Sequence, residues 1–376
     1  MDNPFSKLLN LKSLGLFQAE SKSVVGVDIG SSSIKVVQVR KDKGHAVLET
    51  YGEIALGPYA GVEIGQATHL AVPKINEALA DVFRESNVTT KRAALSIPLR
   101  SSFLTLIDIP ATDESVVNQM VPIEARKYVP VPISEVTLDW WVVPKPETDG
   151  PVDAAAPAAA AAHGVEVLLV AIHNSILAEY KEIVEKNELT THGFEIEMFS
   201  AVRAVMGHDL LPVLVLDMGA GSTKVSVIDF GVLKISRTIS KGSQDMTIAL
   251  SKSMGITFAK AEEVKRRVGL IGKEEGDVVS IMNPVLEFIF YEANQVLANY
   301  QKKYQRSVAK VVLIGSGSLL QGLLEVAKKS FEVEVVYGDP FKKVEAPAFL
   351  EGVLQGAGPS FSVAIGLALR AIQEGA

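Results

Sequence analysis

One device occurs twice in this chain. Val24 to Arg40 reads VVGVDIGSSSIKVVQVR, and Val213 to Ile228 reads VLVLDMGAGSTKVSVI. Each copy begins with an aliphatic run, passes through Asp-x-Gly, turns on small residues and leaves on a second apolar run. That pattern is a strand, a tight polar turn and an antiparallel return strand. The equivalent residues are Asp28, Gly30 and Lys35 in the first copy and Asp217, Gly219 and Lys224 in the second. One such hairpin is compatible with many folds. Two at matching internal spacing restrict the chain to architectures made by repetition.

The turn has a definite chemistry. A phosphate needs backbone N–H donors that can come close, and Gly and Ser allow this because they lack bulk. A carboxylate at the end of the incoming strand suits hydrated Mg²⁺, which keeps its waters and takes few protein ligands. Two such hairpins facing each other would hold a polyphosphate from both sides. A third glycine-rich turn, Gly315-Ser316-Gly317-Ser318, follows the predicted strand Lys310 to Ile314 and precedes a helix predicted from Leu319. It would bring N–H groups and a helix N-terminus to a ligand.

With 376 residues, the chain is long enough for two or more subdomains. A net charge of −7 argues against nonspecific nucleic-acid binding. The absence of cysteine excludes disulfides and thiolate metal sites, and six scattered histidines disfavour zinc. No stretch is read as approaching the apolar length of a membrane span, and the N-terminus lacks a signal-peptide pattern. The expectation is a cytoplasmic protein.

Taken in order, Met1 to Gln18 is a short, mildly basic amphipathic segment. It suits a membrane-surface or partner contact, or a tail that packs on its own domain or stays mobile. A third strand is predicted over His45 to Leu56, a helix over Leu70 to Glu85 and a strand over Arg92 to Pro98. The texture then changes. A strand over Phe103 to Ile109 leads to a helix capped by Thr112 or Asp113 and reaching about Tyr128, which Pro122 should kink or break. Val136 to Val143 and Val165 to Ile172 are strands, separated by a Pro/Ala-rich segment, and Ile176 to Asn187 is a helix. Glu197 begins another helix before the second hairpin, and Gly231 to Ile239 is that hairpin's third strand. Helices follow over Gly242 to Met254 and Phe258 to Val268, with another starting at Asn283-Pro284. A strand over Val333 to Tyr337 and a helix over Phe361 to Ile372 close the chain.

This reading divides the chain into a tail (1–20), a first lobe (21–102, completed by 190–211) and an inserted α+β subdomain (103–189, with an Ala/Pro-rich loop at 144–164). A second lobe (212–243, completed by 307–376) and a helical lid (244–306) make up the rest.

The succession of phosphate turn, connecting helix, phosphate turn, lid helices, glycine turn and closing helix resembles the actin, sugar kinase and heat-shock chaperone ATPase superfamily. The matching stretches are DIGSSSIK, DMGAGSTK, VLIGSG and VAIGLALR. The inserted subdomain before the second turn resembles the division protein FtsA and, more closely, the type IV pilus assembly PilM family. IEARKYVPVPISEVTLDW, AEEVKRR and AIGLALR carry that resemblance. FtsA usually ends in a membrane-binding amphipathic helix. Here the sequence ends just past the closing helix, which favours PilM.

The resemblance implies an α/β, actin-like (ribonuclease H-like) two-lobed fold with the inserted subdomain, binding ATP with Mg²⁺. By it, Asp28 and Asp217 hold the metal, and Gly30, Ser31, Ser32, Ser33, Gly219, Gly221, Ser222 and Thr223 cradle phosphates. Lys35 either neutralises phosphate charge or stands outward on its strand. Glu262 and Lys265 flank the nucleoside, or form an i,i+3 pair on a solvated helix face. Gly315, Ser316 and Gly317 line adenine and ribose. Glu197 orients the attacking water, with Glu195 as reserve, and turnover is weak at most.

As partner the resemblance implies the cytoplasmic N-terminal tail of PilN, docking near the inserted subdomain, together with other inner-membrane and motor components of the pilus. The protein would be peripheral to the inner membrane, with self-association open. A filament-forming ATPase like FtsA or MreB, and a small-molecule kinase of the same fold, are the alternatives.

Overall fold

The computed structural model describes residues 23–144, 164–207, 211–272 and 276–374. The readings made for the N-terminal tail and for the Pro/Ala-rich segment at 145–163 lie outside these residues.

β1 (Ser23–Ile29), β2 (Ser33–Asp42) and β3 (His45–Ala55) form an antiparallel meander. After a short helix α1 (Gly57–Ala60) and a longer one, α2 (Val72–Glu85), β4 (Arg92–Ile97) pairs with β1 in parallel. The chain then enters a separate compact unit, Leu99–Tyr180. Its strands are β5 (Ser102–Ile109), β6 (Val136–Val142) and β7 (Val165–His173), with β7 central and both neighbours antiparallel.

Helix α3 (Glu114–Glu124) packs Val117 and Val121 into a core with Ile107, Ile109, Val167 and Leu169. Asp113 caps it, accepting from the N–H groups of Ser115 (2.9 Å) and Val116 (3.1 Å). The helix continues two residues past Pro122 and then tightens to a 3₁₀ turn at Ala125–Lys127, so the expected extent to Tyr128 is divided. The division between the units falls inside helix α4 (Asn174–Lys186).

The second unit resumes with β8 (Thr190–Ile196), which pairs in parallel with β4. The sequence reading had no strand there. Helix α5 (Glu197–Val205) follows at once. Then the first pattern repeats. β9 (Val213–Met218), β10 (Thr223–Asp229) and β11 (Val232–Ile239) are an antiparallel meander.

Helices α6 (Ser243–Met254), α7 (Phe258–Val268) and α8 (Gly276–Tyr304) come next. β12 (Lys310–Ile314) pairs in parallel with β9. Helix α9 (Leu323–Ser330) leads to β13 (Glu334–Tyr337), parallel to β12. Helices α10 (Glu351–Ala357) and α11 (Ser362–Glu374) end the described chain. The two sheets run β3-β2-β1-β4-β8 and β11-β10-β9-β12-β13, the same order and the same strand directions. Duplication therefore extends from the hairpins to both five-stranded sheets.

Two boundaries correct the sequence reading. Helix α8 begins at Gly276 and carries Pro284 inside it. Proline leaves the carbonyl four residues back without its helical donor, but Val278, Met282, Leu286 and Ile289 share one buried face, and that packing carries the helix through. Ser316–Leu319 is a 3₁₀ turn, and α9 starts only at Leu323, after Gly322 at φ 84°.

The segment Ala348–Glu374 is also, by length and composition, apolar enough to cross a membrane, against the sequence expectation; 72% of its most apolar window is buried in the protein. It is broken into α10, a 3₁₀ turn at Gly358–Phe361 and α11. Burial marks α11 as core, while α10 is largely exposed. Close backbone approach explains its glycine pattern: a Cβ on Gly366 would lie 1.8 Å from the Ser200 carbonyl of α5, and one on Gly26 of β1 would lie 1.9 Å from the Ala364 carbonyl of α11.

Candidate functional site

Both Asp-x-Gly turns close in the same way. The Gly30 N–H donates to the Ser33 carbonyl and the Gly219 N–H to the Ser222 carbonyl, each at 3.0 Å. The two turns line one cleft within the second unit. Asp28, Gly30, Ser31, Ser32, Ser33 and Lys35 come from the first, and Asp217, Gly219, Ala220 and Lys224 from the second. Glu197, Gly315, Ser316 and Ser360 complete it. β9 and β12 bring Asp217 and Gly315 together: a Cβ on Gly315 would stand 2.4 Å from Asp217 Oδ1, and φ there is +83°.

The acids and bases are unevenly matched. Asp28 is buried and accepts a hydrogen bond from the Ser96 hydroxyl at 2.9 Å. Burial pushes its carboxyl up to about 6, with Lys35 pulling the other way. Lys35 itself donates to Ser33 Oγ at 2.8 Å and pairs with Glu53 at 3.2 Å. It is 6% exposed, so the reading of it as an outward strand residue is corrected. In the second turn Lys224 Nζ stands 3.0 Å from Glu197 Oε2 and 3.3 Å from Asp217 Oδ2. Burial opposes its charge, yet Asp217 and Glu197 hold the amine well above the usual lysine range.

The cleft opens into a larger cavity of about 620 Å³, enough for a small ligand. Ile64, Met246, Leu319 and Leu320 give it apolar wall, and Glu53, Glu262, Lys265 and Arg266 its charges. Glu262 and Lys265 are 8% and 5% exposed, which corrects the solvated-face alternative. They pair at 2.7 Å; Lys265 donates to Thr247 Oγ1 at 2.9 Å, and Thr247 donates to Glu262 Oε2 at 2.6 Å. Burial acts to raise the Glu262 carboxyl, but Lys265, Thr247 and Arg266 bring it below the usual range. Gly317 also lines this cavity, so Gly315, Ser316 and Gly317 all face the site.

A loop after α1 straps the cleft. The Thr68 N–H donates to the Ser31 carbonyl at 2.7 Å, and the Ala67 N–H to Gln244 Oε1 of α6 at 2.8 Å. A Cβ on Gly221 would press on Ala67 at 3.0 Å. Gly221 thus packs on the strap and does not line the cleft. Ser222 contributes its carbonyl to turn closure. Thr223 is fully buried and donates its hydroxyl to the Lys241 carbonyl at 2.8 Å. All three residues help to build the turn.

Glu195 is corrected too. It lies outside the cleft, buried against Arg203 (2.5 Å), Arg370 (3.4 Å) and the Ser200 hydroxyl. Burial would raise its carboxyl, but Arg203 and the other partners hold it below the usual range. It ties β8 to α5 and α11. Glu197, the first residue of α5, does line the cleft. Lys224 stood in the repeated motif without a role. Gln244 and Ser360 carried no local signal, since only the fold brings them to the site.

Two carboxylates with room for water and phosphate oxygens suit Mg²⁺, which seldom takes an all-protein cage. Among the described residues no group of three or more acidic or histidine side chains is arranged to hold a metal alone. Asp28 and Asp217 therefore fit an ion that arrives with a phosphate.

The family model described as type IV pilus assembly protein PilM matches residues 26–372. The cell division protein FtsA of Agrobacterium fabrum is 26% identical over 230 residues, 54% of this chain and 51% of that protein, so the match spans about half its length. FtsA of Streptococcus pneumoniae is 24% identical over 357 residues, 86% of this chain and 77% of that one. Among solved structures, the PilM-PilN type IV pilus biogenesis complex superposes with a TM-score of 0.77 at 24% identity, covering 93% of this chain and 98% of that one. MreB 5 of Spiroplasma citri bound to AMPPNP gives 0.53 at 12% identity, covering 95% and 98%. The fold is the actin-like α/β fold with an inserted α+β unit.

Proposed function

The chain belongs to the type IV pilus assembly protein PilM family, and on that premise we propose that it is an ATP-binding scaffold of the pilus inner-membrane assembly complex. One observation carries the nucleotide half of this reading: two duplicated Asp-x-Gly turns, from two separate sheets, line a single cleft that opens into a larger cavity. In it, backbone N–H groups at Ser31 to Ser33 and at Ala220 take phosphates, and the larger cavity takes the nucleoside beside Glu262 and Lys265. Asp28 and Asp217 hold Mg²⁺, which when bound supplies charge neutralisation to the phosphates. Glu197 orients a water, and turnover is slow.

The partner half rests on kinship. The solved relative is a complex of PilM with PilN, and this chain takes the N-terminal cytoplasmic tail of its own PilN as a short peptide at the inserted unit. That unit exposes Ile123 (61%) and Tyr128 (43%). The protein then sits at the cytoplasmic face of the inner membrane through its partners and links PilN to the motor that drives pilus biogenesis and twitching. Nucleotide biases lobe closure and, through it, the peptide site. Titrating a PilN N-terminal peptide with and without Mg-ATP tests this coupling. A several-fold difference in affinity is expected, and identical affinities would remove the coupling from the account.

A further inference from the structure

Lys224 and Lys35 occupy the same place in the two hairpins. Each is the cross-strand neighbour of its turn's aspartate, Lys35 opposite Asp28 and Lys224 opposite Asp217. Their ammonium groups go different ways. On its other side Lys35 faces Glu53 of β3, while Lys224 faces Thr238 of β11. Lys35 pairs with Glu53. Lys224 has no acid across from it on β11, and it bridges Asp217 and Glu197 instead, with side-chain exposures of 17% for the lysine, 17% for Asp217 and 10% for Glu197.

A cation already joins two of the three carboxylates that line the phosphate cleft. Electrostatically it does part of what a divalent ion would do there, lowering the repulsion that Asp28, Asp217 and Glu197 present to an incoming polyphosphate. It also engages Glu197. Orienting a water requires a carboxylate oxygen that accepts from that water. Glu197 Oε2 already accepts from an ammonium at 3.0 Å.

We propose, on the reading that this cleft holds a nucleotide, that Lys224 is its resident counter-ion and its brake. The lysine supports nucleotide binding that does not depend wholly on a divalent cation, and it withholds Glu197 from water activation. The cleft is then one that senses nucleotide and seldom turns it over. In this role Lys224 is a positioning residue, acting through Glu197.

The test is a set of calorimetric ATP titrations, each in Mg²⁺ and in EDTA, with phosphate release measured per bound nucleotide. The readout is the ratio of the two dissociation constants. In Lys224→Met that ratio is expected to grow by about tenfold, because a single charge at near-contact distance is lost from a partly hydrated cleft. Phosphate release per bound nucleotide is expected to rise above the wild-type rate. Lys224→Arg, which keeps the charge, should hold the ratio near wild type.

A buried lysine removed from two carboxylates can unfold a protein, so Glu197→Gln serves as the second variant. Freed from one partner, Lys224 should tighten ATP binding in EDTA by about tenfold; unchanged binding overturns the inference. A wild-type ratio in Lys224→Met, or unchanged or slower phosphate release from it, also overturns the inference while leaving the nucleotide reading intact. A wild-type protein that binds ATP under neither condition removes the nucleotide reading and this inference together.

Discussion

The two Asp-x-Gly turns are nearly the same object and not the same environment. Both close through a glycine N–H to a serine carbonyl at 3.0 Å, and both set a lysine opposite an aspartate. The second aspartate is paired with its lysine. The first is left with a serine hydroxyl, buried, and its carboxyl rises to about 6. Burial causes that rise; the pairing differs because β3 offers Glu53 and β11 offers Thr238 at the matching row. The strands behind the turns differ as well. Two residues before Asp28 is Gly26, against which α11 packs closely; two residues before Asp217 is Val215, buried at 3%. Duplication has kept the turn chemistry and let the surroundings diverge, so one half docks the closing helix and the other carries its own counter-ion.

The strands behind the turns should respond most strongly to substitution. In Gly26→Val the new side chain would meet the Ala364 backbone carbonyl, with a Cβ only 1.9 Å away. A loss of about 3 kcal/mol or more is expected in thermal or denaturant unfolding. Val215→Ala should cost only about 2 kcal/mol, because it leaves a small cavity without backbone overlap. Equal losses at the two positions would remove the distinction between the strands.

The next effect concerns Asp28 itself. With its carboxyl raised from 3.8 to about 6, the folded protein keeps a proton that the unfolded chain has released between those pH values. Stability therefore falls as pH rises through that window, by about 3 kcal/mol from this one group. Asp28→Asn is expected to abolish that slope and to be the more stable protein at pH 7, by up to about 3 kcal/mol. Unfolding midpoints at pH 4 and 7 check it. A variant less stable than wild type at pH 7 would contradict the burial argument.

Glu53→Gln releases Lys35 from its pairing partner, and Asp28 is the neighbour on its other side. The ammonium should swing toward Asp28 and lower the midpoint of the pH slope by about one pH unit, worth about 1.4 kcal/mol. An unmoved midpoint would mean that Lys35 does not control Asp28.

What could be read from the sequence and what could not divide along the same line. The hairpins, the glycine turn and the capped helix α3 were legible because their signals are local: alternation, Asp-x-Gly and an Asp at the N-cap. β8 was missed because the His192-Gly193 step interrupts its alternation and only Phe194 and Ile196 remain as inward apolar residues. At Ser316–Leu319 the glycines suggested a helix N-terminus, but a single 3₁₀ turn stands there. The roles of Lys35, Lys224 and Glu195 were beyond reach for a common reason. Each is decided by a partner on another element, namely Glu53, Glu197 and Arg203, and no residue type announces which neighbour a long side chain will meet.

In the proposed function one nucleotide is held by both turns at once. The direct measurement is calorimetric titration of Mg-ATP into wild type, Asp28→Asn and Asp217→Asn at pH 7.5. The expected result is saturable one-site binding to wild type, weakened at least about tenfold in each variant, although Asp28→Asn alone gains stability. Binding that survives in either variant at the wild-type affinity, or no binding to the wild type, would contradict a site built from both halves.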